Sequence, residues 1–198
     1  FTYNDHHFMM TGDLEKEGEE MMAKYYDGSS EEKTLPHVDL FKAGHHGSKT
    51  SSNECLLKLI TPDIVTVCCC AGGSEYTANY NNVFPTQDFI TRVAAYTDQV
   101  YVTSLFNEKT LKFESLNGNI IVSCDGTKVA VAATNNTTKL KDSDWFNETV
   151  YVDAKNMSEL MQEADCMVSA GGTTLYEACA CKLPTVSYAV ADNQLLNV

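Results

Sequence analysis

Three side chains near the start of the chain have the types and spacing to do chemistry together. They are Asp13, at the end of Met10-Thr11-Gly12-Asp13, and His45 and His46, inside Gly44-His45-His46-Gly47-Ser48. A carboxylate with one or two imidazoles suits a divalent metal ion, the carboxylate bridging and the imidazole capping. Glycines 12, 44 and 47 permit the tight turns such a site needs. The same residues also have a plainer reading, because Thr-Gly-Asp is a common turn and paired histidines often sit on exposed loops.

The elements that would position them follow from the hydrophobic pattern. Residues 6–13 read as a strand ending at Gly12-Asp13. Residues 14–26 read as a helix, with Leu14, Met21, Met22 and Tyr25 on one stripe and Glu15, Glu17, Glu19 and Glu20 exposed. A second strand, 38–43, ends at Gly44. A right-handed crossover makes the two strands parallel neighbours. Asp13 and His45 then emerge at the same edge of the sheet, where open α/β sheets place their sites. Further along, Ser51-x-x-Glu54 reads as a capping box for a helix ending near Ile60, and Pro62 stops it. Strand 64–69 follows; Thr86 caps a helix carrying Phe89, Ile90, Val93 and Tyr96; 99–103 is another strand. Segments 111–115, 119–123 and 127–132 read as short strands separated by Asn117-Gly118 and Asp125-Gly126, both hairpin signals. The expected order is β-α-β-α-β-α-β, then an antiparallel meander.

The motifs resemble a known family. Met10-Thr11-Gly12-Asp13-Leu14-Glu15-Lys16-Glu17-Gly18-Glu19-Glu20, followed by Asp39-Leu40-Phe41-Lys42-Ala43-Gly44-His45-His46-Gly47-Ser48-Lys49-Thr50-Ser51-Ser52, resembles the hydrolase-like domain of the competence DNA-uptake channel and its metallo-β-lactamase-fold relatives. The resemblance covers roughly residues 1–147. It implies an α/β fold, the C-terminal half of an αββα sandwich, with Asp13 bridging two metal ions and His45 or His46 as terminal ligand. Zinc is the metal it implies, and a small phosphate ester is a substrate class that fits.

Two departures weaken the expected centre. The family's HxHxDH motif, which supplies most ligands and the base that activates water, is absent. His6 and His7 do not replace it, since at ~3.3 Å per strand residue they lie about 20 Å from Asp13. Many members also carry a His before the Pro that precedes the later helix, where this chain has Phe84-Pro85. A catalytic zinc usually takes three protein ligands. Two or three ligands shared by a binuclear centre imply an incomplete, inactive hydrolase.

Residues 134–149 are polar and aperiodic and read as a linker or tail, with Trp145-Phe146 docking back. Beyond them the β/α alternation restarts, as a partial Rossmann-like segment: strand 149–152, helix 157–164, strand 166–170, helix 174–182 and strand 185–189. The expected organisation is therefore 1–133, 134–149 and 150–198. In the last segment a strand runs into Gly171-Gly172-Thr173-Thr174 and a helix carrying Glu177, the arrangement that binds phosphate at a helix N-terminus. Residues 169–177 with Ala191-Asp192-Asn193-Gln194 resemble the C-terminal domain of the UDP-sugar hydrolase of pseudaminic acid biosynthesis, a relative of GT-B glycosyltransferases. That resemblance implies Gly171, Gly172, Thr173 and Thr174 at a diphosphate, Glu177 at the ribose, and Asn193 and Gln194 at the sugar of a UDP-sugar. A third reading is a chimeric fragment that folds without doing chemistry.

Composition narrows the classes. The 198 residues carry 14 basic and 27 acidic side chains, a net charge of −13, and no Lys/Arg cluster. Affinity for a phosphate backbone draws on clustered cations, so nucleic-acid binding by this piece alone is disfavoured. No apolar run approaches the ~20 residues of a membrane span. The eight cysteines form no CxxC pair. Cys68-Cys69-Cys70 ends an apolar run and reads as buried strand, and free thiols fit a reducing, cytoplasmic setting. The opening in mid-strand, without an initiator Met, reads as a fragment.

Overall fold

In the computed structural model, which describes residues 1–73, 83–107, 110–149, 161–162, 167–170 and 178–188, the apolar segments of the first unit assemble into a six-stranded sheet. Its strands are β1 (Thr2–Tyr3), β2 (His6–Met10), β3 (Leu40–Lys42), β4 (Ile64–Ala71), β5 (Val100–Asn107) and β6 (Lys112–Ser115), in that order. The four central strands are parallel, with Met9 opposite Phe41, Phe41 opposite Val65 and Val65 opposite Val100. Strands β1 and β6 close the two edges antiparallel. Helices α1 (Lys16–Tyr25), α2 (Glu54–Ile60) and α3 (Gln87–Ala94) make the crossovers, so the fold class is α/β.

The pleat sorts the side chains of the strands into two cores. Phe41, Val65, Val67, Cys69 and Val102 point to the helix side, where Leu56, Leu57, Ile60, Phe89, Ile90 and Val93 meet them. Leu40, Ile64 and Tyr101 point the other way. There they meet Ile120 and Val122 of β7 (Ile120–Cys124) and Val129 and Val131 of β8 (Val129–Ala133), a separate antiparallel hairpin.

Several local expectations are corrected. Cys69 is buried on the helix side, while Cys68 falls on the opposite face and is exposed. In α1, Met22 packs on the core, whereas Met21 and Tyr25 are exposed and Glu19 is fully buried. The capping box does not form. Ser51 Oγ donates to the Leu14 carbonyl, Glu54 accepts from Tyr96, and the N-cap of α2 is Asn53. The meander is broken as well. Strand β6 pairs with β5, and of the two turn signals Asp125-Gly126 closes a hairpin, the Asp125 carboxylate accepting from the Thr127 and Lys128 amides. Asn117 is instead fully buried, its amide donating to the Val102 and Thr138 carbonyls and accepting from the Thr138 amide.

That Asn117 clamp begins the docking of 134–149. Leu140 is 2% exposed in the larger core, and Trp145 and Phe146 pack against it. Residues Asp144–Thr149 form helix α4. Contacts divide the chain between Val152 and Asp153 rather than within this stretch. Three unevenly spaced apolar residues hold it down, a pattern that has no period. In the second unit, β9 (Met167–Ala170) and β10 (Thr185–Tyr188) pair in parallel, and Met161, Ala178 and Leu183 form a small buried cluster. Gly171, Gly172, Thr173, Thr174, Glu177, Asn193 and Gln194 lie outside the described residues. No helix among the described residues is long and apolar enough to cross a membrane.

Candidate functional site

The loops that follow β2 and β3 lie side by side because their strands are paired in parallel. The His45 amide donates to the Gly12 carbonyl at 3.0 Å. With ordinary bond lengths this puts the α-carbons of Asp13 and His45 within about 7 Å. A seam of further bonds joins the same loops: the Lys16 amide to the Thr50 carbonyl at 3.0 Å, Ser51 Oγ to the Leu14 carbonyl at 2.7 Å, and Thr50 Oγ1 to Glu15 Oε1 at 2.9 Å. Gly44 sits at a close approach, since a Cβ would lie 3.1 Å from Thr11 Oγ1 and 3.2 Å from Ser51 Cβ. Asp13 itself is exposed.

Both histidines have left-handed backbones, His45 at φ 43° and ψ 48° and His46 at φ 56° and ψ 23°, and Gly47 follows at φ 79°. For a residue with a Cβ this conformation costs roughly 1–2 kcal/mol. Such conformations persist where the surroundings over-determine them, and they cluster at functional sites. Here the restraint comes from Pro85-Thr86, which packs over the turn. The Thr86 amide and Oγ1 both donate to the Gly47 carbonyl, at 2.9 and 3.1 Å, and a Cβ on Gly47 would come within 2.8 Å of Pro85 Cβ.

The imidazoles diverge toward different strands. His45 Nδ1 lies 3.2 Å from Glu15 Oε1, on the β2 side. His46 Nδ1 lies 2.6 Å from the Cys68 carbonyl, on the β4 side, where the register with β5 shifts between Val67 and Cys70. A ring nitrogen facing a carbonyl oxygen must carry the proton, so neutral His46 bears its lone pair on Nε2. Phe84, 5% exposed, has its ring 6.5 Å from that of His45.

His6 and His7 sit at the far end of β2 from Asp13. His6 Nδ1 is 2.6 Å from Asp39 Oδ1, the His7 amide donates to Asp39 Oδ2 at 2.7 Å, and His7 Nδ1 pairs with Thr2 Oγ1 at 3.0 Å. The hydrogen bond to Asp39 raises the His6 pKa. Burial alone would raise the Asp39 pKa, but the bonds from His6 and the His7 amide hold it below the usual range. Among the described residues, no group of three or more His, Cys, Asp or Glu side chains converges well enough to hold a metal ion.

Two residues that sequence reasoning missed organise this region. Glu19 is 0% exposed, and its carboxylate accepts from the Ser52 amide at 2.6 Å and from the Asn53 amide and Nδ2, both at 2.7 Å. Arg92 donates to the carbonyls of Ser52, Ser51 and Lys49 at 3.0, 2.9 and 3.2 Å. Burial pulls the Arg92 pKa down, opposed by Asp88, Glu19 and Glu54. Position 19 lies one turn before Met22 on α1, which marks it as inward-facing; its charge argued the other way.

No family model matches the chain, and no solved structure does. Over 59 residues, 30% of the chain, it is 37% identical to Recombination protein 2 of Haemophilus influenzae. The matched stretch spans 6% of that protein's length.

Proposed function

We propose that the first unit is a metal-dependent hydrolase unit of metallo-β-lactamase type, of the kind found in competence DNA-uptake proteins, that carries part of a metal centre and is inactive alone. The observation that carries this reading is the His45 amide to Gly12 carbonyl bond, which makes neighbours of the loops bearing the two motifs. The left-handed histidine pair and the partial likeness to Recombination protein 2 add support. Of the two histidines, His45 is the better ligand candidate, because it lies on the Asp13 side and Glu15 faces its Nδ1. Metal-bound histidines are commonly oriented by a carboxylate or a backbone carbonyl at the second ring nitrogen, which His46 also has in Cys68, so the preference rests on His45 leaning toward the loop that carries Asp13. Asp13 and His45 are one donor short of the three that a catalytic zinc usually takes, so no hydrolytic step on a phosphate ester is assigned to this chain.

Zinc calorimetry tests the reading. The purified protein is expected to bind added zinc weakly and to release it on dialysis, and Asp13→Ala is expected to abolish the heat. Zinc that survives dialysis against a chelator, or binding unchanged in Asp13→Ala, overturns it.

A further inference from the structure

We infer that Glu19 and Arg92 are positioning residues: together they clasp the loop from Lys49 to Asn53 and through it orient His45. The inference rests on the proposed metal site, whose ligand loop they support from behind.

A fully buried carboxylate is tolerated only when its oxygens are filled with hydrogen bonds or a counter-charge. Glu19 fills both of its oxygens from one loop: Oε1 takes the Ser52 amide, and Oε2 takes the Asn53 amide and Nδ2. Arg92 comes from α3 and takes the carbonyls of Lys49, Ser51 and Ser52. The Ser52 and Asn53 amides and the Lys49, Ser51 and Ser52 carbonyls are thus satisfied by two charged side chains rather than by a ladder or helix. Ser52 is held at φ 56° between them, a third non-glycine residue with positive φ in the same stretch.

The clasp leads toward the site through specific atoms. Thr50, inside the clasped loop, receives the Lys16 amide on its carbonyl and donates its Oγ1 to Glu15 Oε1. That same Glu15 oxygen lies 3.2 Å from His45 Nδ1. That contact is one of charge rather than an aligned hydrogen bond. Ser52 Oγ also accepts from the Gly44 amide at 3.3 Å, so moving the loop shifts the backbone that carries His45 as well as Thr50 and Glu15. Partners of this kind behind a ligand change metal affinity by about 10–100-fold when removed.

The test uses the full chain and zinc alone. Glu19→Gln, Asn53→Ala and Asp13→Ala are compared with wild type by thermal melting, zinc calorimetry and the backbone 13C and 15N shifts of His45 and Thr50. Glu19→Gln keeps the shape but turns an N–H toward donors. It is expected to melt lower, to shift His45 and Thr50 while folded, and to lose about ten- to a hundred-fold in zinc affinity. Asn53→Ala removes only the side-chain donor and is expected to act in the same direction by less. A merely structural role would lower the melting temperature and leave the shifts and the affinity as in wild type, and that result overturns the inference. If Glu19→Gln does not fold, Asn53→Ala decides. If wild type binds no zinc, the metal reading fails, and the His45 and Thr50 shifts alone decide whether the clasp positions the ring.

Discussion

His45 and His46 share a loop and a region of backbone space, yet their rings answer to different neighbours, Glu15 for one and the Cys68 carbonyl for the other. The motif was legible in the sequence because its glycines and histidines are adjacent. Which histidine faces Asp13 was not, since that depends on which strand each ring leans toward. The same geometry makes Phe84 informative, because its buried ring lies 6.5 Å from that of His45. Phe84→His is expected to add an imidazole donor and tighten zinc binding, at some loss of thermal stability from burying a polar ring. Unchanged zinc affinity in a folded variant would show that position 84 does not address the site. At the other end of β2, the His6–Asp39 pair gives a pH signature. The raised His6 pKa means a contribution fully present below its unfolded value near 6.5 and lost as pH rises through the folded one. The lowered Asp39 pKa means a contribution present above its unfolded value of about 3.9 and lost as pH falls through the folded one. The pair therefore stabilises most between about pH 4 and 6.5. The melting temperature of Asp39→Asn should fall furthest below wild type in that window, with the gap narrowing toward alkaline pH. A gap constant with pH would mean the pair is not charged in the folded state.

At the scale of elements, the parallel strands and the Thr86-capped helix were readable from period and capping, and Thr86 does accept from the Phe89 amide at 3.3 Å. The failures share a cause. Glu19, Ser51, Asn117 and Arg92 each bind backbone far away in sequence, so nothing local announces them. Asn117-Gly118 carried a hairpin signal that tertiary bonds to Val102 and Thr138 overrode. The turn after β3 offers a controlled test of how tightly α3's leading segment restrains it. Gly47 and Gly28 both have positive φ, 79° and 72°, but only Gly47 faces a close neighbour, Pro85 Cβ at 2.8 Å. Each Gly→Ala change should cost about 1–2 kcal/mol for the left-handed backbone. Gly47→Ala should cost clearly more in urea unfolding, and equal losses would show that the Pro85 contact imposes no restraint.

Over the whole molecule, the change from one β/α pattern to another was visible in the sequence, and contacts group Phe1–Val152 and Asp153–Val198. Residues 134–149 look like a linker because they are polar, yet Leu140, Trp145 and Phe146 are enough to dock them on the first unit. The net charge of −13 sets the first unit's few cations in relief: Arg92 is drawn inward to hold a loop, and Lys139 and Lys141 tie the docked segment to Asp98 at 3.1 and 2.7 Å. The proposed function requires that Asp13 and His45 act on one ion. The five histidines make a direct test practical, by following the ring nitrogens by NMR as zinc is added. The His45 ring nitrogens are expected to shift first, His6, His7 and His37 to stay still, and the shift to disappear in Asp13→Ala. A titration in which His45 does not move, or moves equally in Asp13→Ala, would contradict it.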